Sequence, residues 1–462
     1  DMVMITGFFK EKRKRILGII GILYLFLFYA FMYSDILITT SQSINMWDIL
    51  FEGNIIDFFN VCRTSVNNAG YVLTENIPGY DFPIYIIFAI WNFPLWLINK
   101  IFHIDIWNNV LAMFWVKTLV LVFVILIVRS LKKICRTLDL NEQRVDIVIF
   151  LYLTSAYLFS SVFVVSQYDV IYLYLMLEAL NYAMNKKYKH FLLLMALAVP
   201  IKPFSIFLFM PVLLYYEKNI IKIGVNVIAV FFPWLLCKII FTTGQYSSYG
   251  DNGVVIFKSK IEIANWMIPV FFLLTFFLYA FSYIEQTAEG NKYKMDCLKK
   301  AYLAYSIFFV FCKANPYWFI LIVPFQCLLI GANDEDTLLN VIIDTIAPIF
   351  IMVCHISQAV WCFDTKVIRS MYLPLIFGNR YDDTNNVLDI IHRYVPALYD
   401  MGDKIVGLFF ALYFVCNIIF IYINYCKHSE LALNNKALPN YFWTLRILIG
   451  IGICSIPLLA YW

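Results

Sequence analysis

The sequence predicts an all-α polytopic membrane protein forming a single integral membrane domain, 1–462. Three observations lead there. Of the 462 residues, 62% are hydrophobic and only 14% charged, against roughly half and a quarter in soluble chains. Mean hydropathy is +0.76, and a chain that apolar cannot cover its surface with polar groups in water. Apolar runs of about 17–25 residues recur throughout, the length of helical spans rather than the roughly ten-residue alternating strands of an outer-membrane barrel. A soluble enzyme, a nucleic-acid binder and a secreted disulfide scaffold are excluded. The charge balance, 35 basic against 31 acidic residues, is too even to imply a polyanionic partner. The eleven cysteines, among them Cys135, Cys237, Cys312, Cys327 and Cys454, stand singly, without metal-ligand spacing. They read as small core hydrophobes, and neither a metal nor a cofactor is expected.

Taken in order, Lys10, Lys12, Arg13, Lys14 and Arg15 precede the first span, Ile16–Tyr33. The positive-inside rule therefore places the N-terminus in the cytoplasm, ahead of a retained anchor rather than a cleaved signal. Residues 34–107 form a long first extracytoplasmic loop with juxtamembrane helices. In Asp48-Ile-Leu-Phe-Glu52, helical spacing sets Trp47, Leu50 and Phe51 against Asp48 and Glu52, as on a helix lying on the membrane. Pro83–Phe102 is expected to be interfacial or re-entrant, because a crossing there would put Arg129, Lys132, Lys133 and Arg136 outside. Asn109–Val128, Val145–Val165 and Ile171–Met184 follow as spans, the last ending at Lys186, Lys187 and Lys189.

Two hairpins come next. His190–Tyr216 is broken by Pro200-Ile-Lys202-Pro203, and Ala301–Ile330 by Lys313-Ala-Asn315-Pro316. Each half holds about 12–15 residues, roughly 18–22 Å at 1.5 Å per residue, short of a ~30 Å hydrocarbon core. Their tips are expected on the external side. Ile223–Phe241, Ile263–Ile284, Leu338–Val360, Ile405–Tyr425 and Thr444–Trp462 complete about thirteen transmembrane helices. A late extracytoplasmic loop, 361–404, carries Arg369, Arg380 and Arg393.

The unusual residues gather on the external face. Asp35, in Tyr33-Ser34-Asp35, follows directly on the first span. Partial desolvation there raises a carboxylate toward the basicity of a general base. Tyr80 and Asp81 open the segment Tyr80-Asp81-Phe82-Pro83 and offer groups for sugar hydroxyls. Gln167 and Asp169, in Ser166-Gln167-Tyr168-Asp169, stand at a helix mouth and suit orienting an acceptor or holding a basic partner. Lys202 and Lys313 sit at matching proline breaks. A lysine below the membrane surface costs about 2.5–3.5 kcal/mol at depth unless it snorkels or is paired, so two of them suggest a shared anionic ligand such as a lipid phosphate. Asn315, Tyr317 and Trp318 stand beside Lys313 and offer faces to a sugar ring. Lys117 and Glu178 are further polar residues within spans.

As an ordered set these motifs resemble the GT-C glycosyltransferases, closest to the small mannosyltransferase-like and glucosyltransferase-like members that use polyprenyl-phosphate sugars. The resemblance covers essentially the whole chain and is strongest over the first 320 residues or so. It implies a GT-C fold and an inverting hexosyltransferase that moves a sugar to a hydroxyl acceptor on the extracytoplasmic face, without a metal. It places the catalytic base on Asp35. Ser166 stands where relatives often carry Gly, and Asn315 where they often carry His, which leaves Lys202 and Lys313 as the expected donor-phosphate contacts. The partners implied are a polyprenyl-phosphate sugar donor, a glycan or glycolipid acceptor and membrane lipids, with the chain a monomer in the plasma membrane. A polysaccharide polymerase, or a lipid-linked sugar flippase or secondary transporter, is the alternative, since proline-broken helices also build transporter sites.

Overall fold

The structure is a computed structural model in which residues 18–19, 21–22, 28, 34–64, 78–106, 109–241, 259–263, 266–333, 336–358, 387–396, 401–425 and 440–456 are described. The basic N-terminal cluster, nearly all of the first span and most of the late loop, with Arg369 and Arg380, lie outside them. Among the described residues the fold is helical, apart from one antiparallel hairpin pairing β1 (Lys260–Ile263) with β2 (Trp266–Pro269). Among the described residues, five helices are long and apolar enough to cross a membrane, or six if a bent pair counts as one span. Their lipid-type surfaces support the polytopic membrane class. The helix Ile220–Ile240 buries only Ile223 and Val230, while Ile221, Ile228 and Ile239 stay 73%, 68% and 65% exposed. Such a face is a liability in water and an ordinary surface in lipid.

The chain forms two compact units. The first holds the described parts of 131–167 and 314–462, together with Phe28, whose ring meets Phe163 at 5.9 Å. Its helices, numbered along the whole chain, include α5 (Glu142–Leu153), α6 (Ala156–Val164), α13 (Val323–Ala332), α14 (Thr337–Ser357), α15 (Val387–Tyr394), α16 (Gly402–Tyr425) and α17 (Asn440–Ser455). Asn141 caps α5, its side chain accepting the Arg144 N–H at 3.0 Å. The expected span Val145–Val165 is a helix pair bent by 42° between α5 and α6. The bend contains no proline. Arg446 on α17 takes the Leu151 carbonyl at 3.0 Å, and the Ser155 N–H turns to the Tyr152 carbonyl at 3.3 Å. A side chain inserted into the helical ladder is a recognised cause of a kink. Close packing elsewhere demands glycine: a Cβ on Gly331 would lie 2.3 Å from Val148 Cγ2.

The second unit holds the described parts of 35–130 and 168–313. It begins with α1 (Ser34–Phe51) and α2 (Phe58–Thr64). Gly53, at φ +79, ends α1. Its N–H donates to the Leu50 carbonyl at 3.1 Å and the Asn54 N–H to the Ile49 carbonyl at 2.9 Å, the Schellman pattern that only a left-handed residue completes. Next come α3 (Phe82–Phe102), α4 (Val110–Thr137, whose residues from Leu131 on belong to the first unit), α7 (Asp169–Met184), α8 (Tyr188–Ile201), α9 (Ile206–Tyr216), α10 (Ile220–Ile240), α11 (Val270–Ile284) and α12 (Gly290–Phe311). The segment expected to be interfacial, α3, is one 21-residue helix with the length and composition of a span. The span expected from Ile263 begins later, at Val270, because the β-hairpin occupies its first residues.

The first expected hairpin folds back on itself. The Tyr188 ring, at the start of α8, stacks on that of Tyr216, at the end of α9, with centroids 3.9 Å apart, so Lys202 is the tip. The second break does something different, for Lys313 ends one unit and Ala314 opens the other. The short hairpin α7–α8 brings Asp169 and Lys202 to one end of the second unit. The opposite end is basic, and several of its polar side chains are paired. There the Lys218 ammonium donates to the carbonyls of Leu214, Ser282 and Tyr283 at 3.0, 2.9 and 2.8 Å. Lys300 pairs with Glu285, and the Tyr215 hydroxyl donates to Asp296 Oδ2 at 2.7 Å.

Candidate functional site

The end of the second unit opposite the lysine cluster is built from helix starts. Asp169 opens α7 and Asp81 is the N-cap of α3, so both carboxylates stand where helix dipoles favour negative charge. Neither makes a side-chain capping bond. Asp81 turns to α10 instead, where Trp234 Nε1 donates to Oδ2 at 3.1 Å and Lys238 Nζ lies 2.5 Å from Oδ1. Asp169 accepts from Lys202 Nζ at 2.7 Å through Oδ1.

Lys202 is set at the tip by local chemistry. Pro203 forbids continuation of α8 and starts a short 3-10 turn, Pro203–Ser205, leaving Lys202 extended at φ −157, ψ 121. Its buried ammonium sits 5.4–5.9 Å from the ring centres of Tyr168, Tyr172 and Phe204, within reach of their negative faces. A buried ammonium requires a partner, and Asp169 supplies it.

The two pairs are joined. The rings of Tyr80 and Tyr168, each the residue before its aspartate, meet edge to face at 5.0 Å. Phe88 on α3 also touches Tyr168, at 6.1 Å. The result is one continuous cluster of two carboxylates, two ammonium groups and several aromatic rings. Its charges balance. Hydroxyls can hydrogen-bond to its carboxylates, the apolar face of a sugar can lie on its rings, and its ammonium groups can meet an anion.

The structure thus brings together Tyr80, Asp81, Asp169 and Lys202. Lys313 is exposed and follows α12 at this same end, since Phe308 on that helix packs on Phe204 at 5.2 Å. Asp35 stands in the first turn of α1, and its side chain lies outside the described residues. Gln167, Asn315, Tyr317 and Trp318 belong to the first unit. There Asn315 Nδ2 donates to the Tyr317 hydroxyl at 3.0 Å, and the Trp318 ring meets Tyr317 at 6.1 Å. Gln167 is buried, with its backbone N–H on the Ser161 carbonyl. Glu178 accepts the Ser130 hydroxyl at 2.6 Å, and Lys117 is buried in α4.

Sequence reasoning missed Lys238 and Trp234. The signal was available: a lysine one turn from the end of an apolar run, with a tryptophan four residues earlier on the same face. Among the described residues, no group of three His, Cys, Asp or Glu side chains gathers to hold a metal ion. The chain matches no protein-family model, no curated protein and no solved structure.

Proposed function

We propose that the protein is an inverting GT-C-type glycosyltransferase that moves a sugar from a polyprenyl-phosphate donor to a hydroxyl acceptor on the extracytoplasmic face. The observation that carries this reading is the buried Asp169–Lys202 pair, joined through Tyr168 and Tyr80 to Asp81 at one end of a unit whose other end is basic. The positive-inside rule assigns that basic end to the cytoplasm. The carboxylate–lysine end then faces outward, with the N-terminus cytoplasmic and about thirteen spans once the short helices of the broken segments are counted.

In this reading Asp35 takes the proton from the acceptor hydroxyl, and the freed oxygen attacks the anomeric carbon opposite the phosphate. The bond from that carbon to the phosphate oxygen breaks and its electron pair stays with the oxygen, so the charge on the leaving group grows. Lys202 and Lys313 stabilise that growing charge. Asp169 holds Lys202 in place until the donor arrives. Tyr80, Asp81 and Asp169 are the proposed sugar and acceptor contacts.

The carrier or polymerase alternative draws on the pair formed by Arg446 and Asp344 inside apolar helices. Every guanidinium nitrogen there already has an oxygen partner, so we give that pair a structural role. The test is to incubate the purified chain with a panel of polyprenyl-phosphate hexoses and an alcohol acceptor, and to follow loss of the donor. Consumption of one donor, abolished by Asp35→Asn in a variant that still folds, is expected. Full turnover by Asp35→Asn rejects the assigned base, and a panel left untouched rejects the reading.

A further inference from the structure

Midway along α3 stands Asn92, 1% exposed, and neither its amide nitrogen nor its amide oxygen has a hydrogen-bond partner among the described residues. A buried amide in that state costs about 1–3 kcal/mol, so a helix that is apolar and aromatic from Phe82 to Ile98 except at this position has reason to exclude it. Its position ties it to the site. Phe88, four residues earlier on the same face, meets the Tyr168 ring at 6.1 Å. Asn92 therefore lies one turn, roughly 6 Å, further along the face that meets the Tyr168–Asp169 corner. At that corner Asp169, 0% exposed, has a second unmet atom: Oδ1 takes Lys202, and Oδ2 accepts no hydrogen bond among the described residues.

A carboxamide with donor and acceptor both open, one turn along the face that meets the corner carrying a carboxylate oxygen with capacity left, is complementary to a group that donates and accepts at once. Neighbouring hydroxyls of a hexose do this, whereas a phosphate only accepts at its charged oxygens. We propose that Asn92, with Asp169 Oδ2, reads the hydroxyls of the transferred hexose and sets which hexose is accepted. This assignment rests on the sugar-transfer reading for its biological meaning, but it is testable without it.

The experiment melts the full-length protein in a sugar-free detergent with methyl glucoside, methyl mannoside or methyl galactoside. At least one hexoside is expected to raise the melting temperature of the wild type. Asn92→Leu, which removes the open amide at similar volume, should melt at or above the wild type without ligand and lose the hexoside shift. Three outcomes overturn the proposal: no hexoside shifts the wild type, Asn92→Leu keeps the shift, or Asn92→Leu alone melts well below the wild type. A hexoside shift lost in Asn92→Leu, with no lipid donor ever consumed, would remove the transferase reading and leave this site standing. Donor consumption with a hexose preference unchanged in Asn92→Leu would overturn this proposal alone.

Discussion

Each unit holds a carboxylate–cation pair with both partners buried, Asp344–Arg446 in the first and Asp169–Lys202 in the second, and the two are finished differently. In the first unit the Arg446 guanidinium is satisfied throughout: Nε donates to Thr154 Oγ1 at 2.9 Å, Nη1 to Thr345 Oγ1 at 2.9 Å, and Nη2 meets the Leu151 carbonyl at 3.0 Å and Asp344 at 2.6 Å. In the second unit Lys202 holds one oxygen of Asp169 and leaves the other unmet, with the open amide of Asn92 one turn along the neighbouring face. Thr39 and Thr40 of α1, in the same unit, are also buried, and neither hydroxyl has a hydrogen-bond partner among the described residues. Buried polar groups are nearly always hydrogen-bonded when their purpose is to hold a fold. The Arg446 guanidinium welds a broken helix, with Asp344 Oδ2 held by the ion pair alone; the second unit adds to the spare oxygen of Asp169 the amide of Asn92, open at both nitrogen and oxygen among the described residues.

The sharpest way to break this contrast is to remove Arg446. Arg446→Leu leaves Asp344 buried without its counter-ion and returns the Leu151 carbonyl to an unmet state. A loss of about 3–5 kcal/mol is expected, seen as aggregation on size-exclusion chromatography or a large drop in melting temperature. Adding Asp344→Leu should recover most of that stability, because an apolar pair can replace a buried ion pair. Failure of the double variant to recover would mean that the network does more than satisfy itself.

The second pair should behave in the opposite sense. Asp169→Asn with Lys202→Met removes both charges together, so the double variant is expected to melt near the wild type. Its sugar transfer should fall on the order of 100-fold or more, the scale of losing a group that stabilises developing charge. A double variant that transfers normally would move this pair from the site to the scaffold.

Packing supplies the third comparison. Gly331→Ala forces a methyl group against Val148, and overpacking of this kind costs about 1–3 kcal/mol. Arg144 Nη1 donates to the Gly331 carbonyl at 2.7 Å, so the strain falls on a segment tied in place. Val148→Ala in the same chain should restore the melting temperature; if it does not, the contact lies elsewhere.

How much of this was legible in the sequence follows from what kind of signal each feature leaves. The class of protein was legible because hydropathy is a property of windows. The hairpin tip at Lys202 was legible because prolines flank it and each half is too short to cross. Tyr80, Asp81, Asp169 and Lys202 stood out as polar residues at the ends of apolar runs, and the fold gathers all four. Arg446 and Asp344 were not singled out, because their partnership joins residues 102 positions apart and rests on a helix break that contains no proline. Asn92 was invisible for a related reason. A single amide in a helix gives no pattern, and its significance comes only from partners it lacks. The matched proline breaks also suggested two equivalent hairpins, whereas the second break is where the chain passes from one compact unit to the other. Local sequence describes a break without saying what lies on either side of it.

The smallest effect tests whether the basic end of the second unit belongs with the satisfied class. Lys218 closes the ends of α9 and α11 by donating to three carbonyls, so Lys218→Met should cost about 1 kcal/mol. Burial, and behind it the charge of Lys300, lowers the Lys218 pKa. The folded chain therefore holds this proton less firmly than the unfolded chain. The contribution of the group is least where the lysine is protonated in both states, and it rises as pH climbs through the folded value toward the unfolded one. Melting curves of wild type and Lys218→Met in neutral and alkaline buffer should diverge, with the wild type gaining on the variant as pH rises. A difference that stays flat would mean that the three carbonyl bonds offset the burial of the ammonium in full, and this end would then match Arg446 in completeness as well as in purpose.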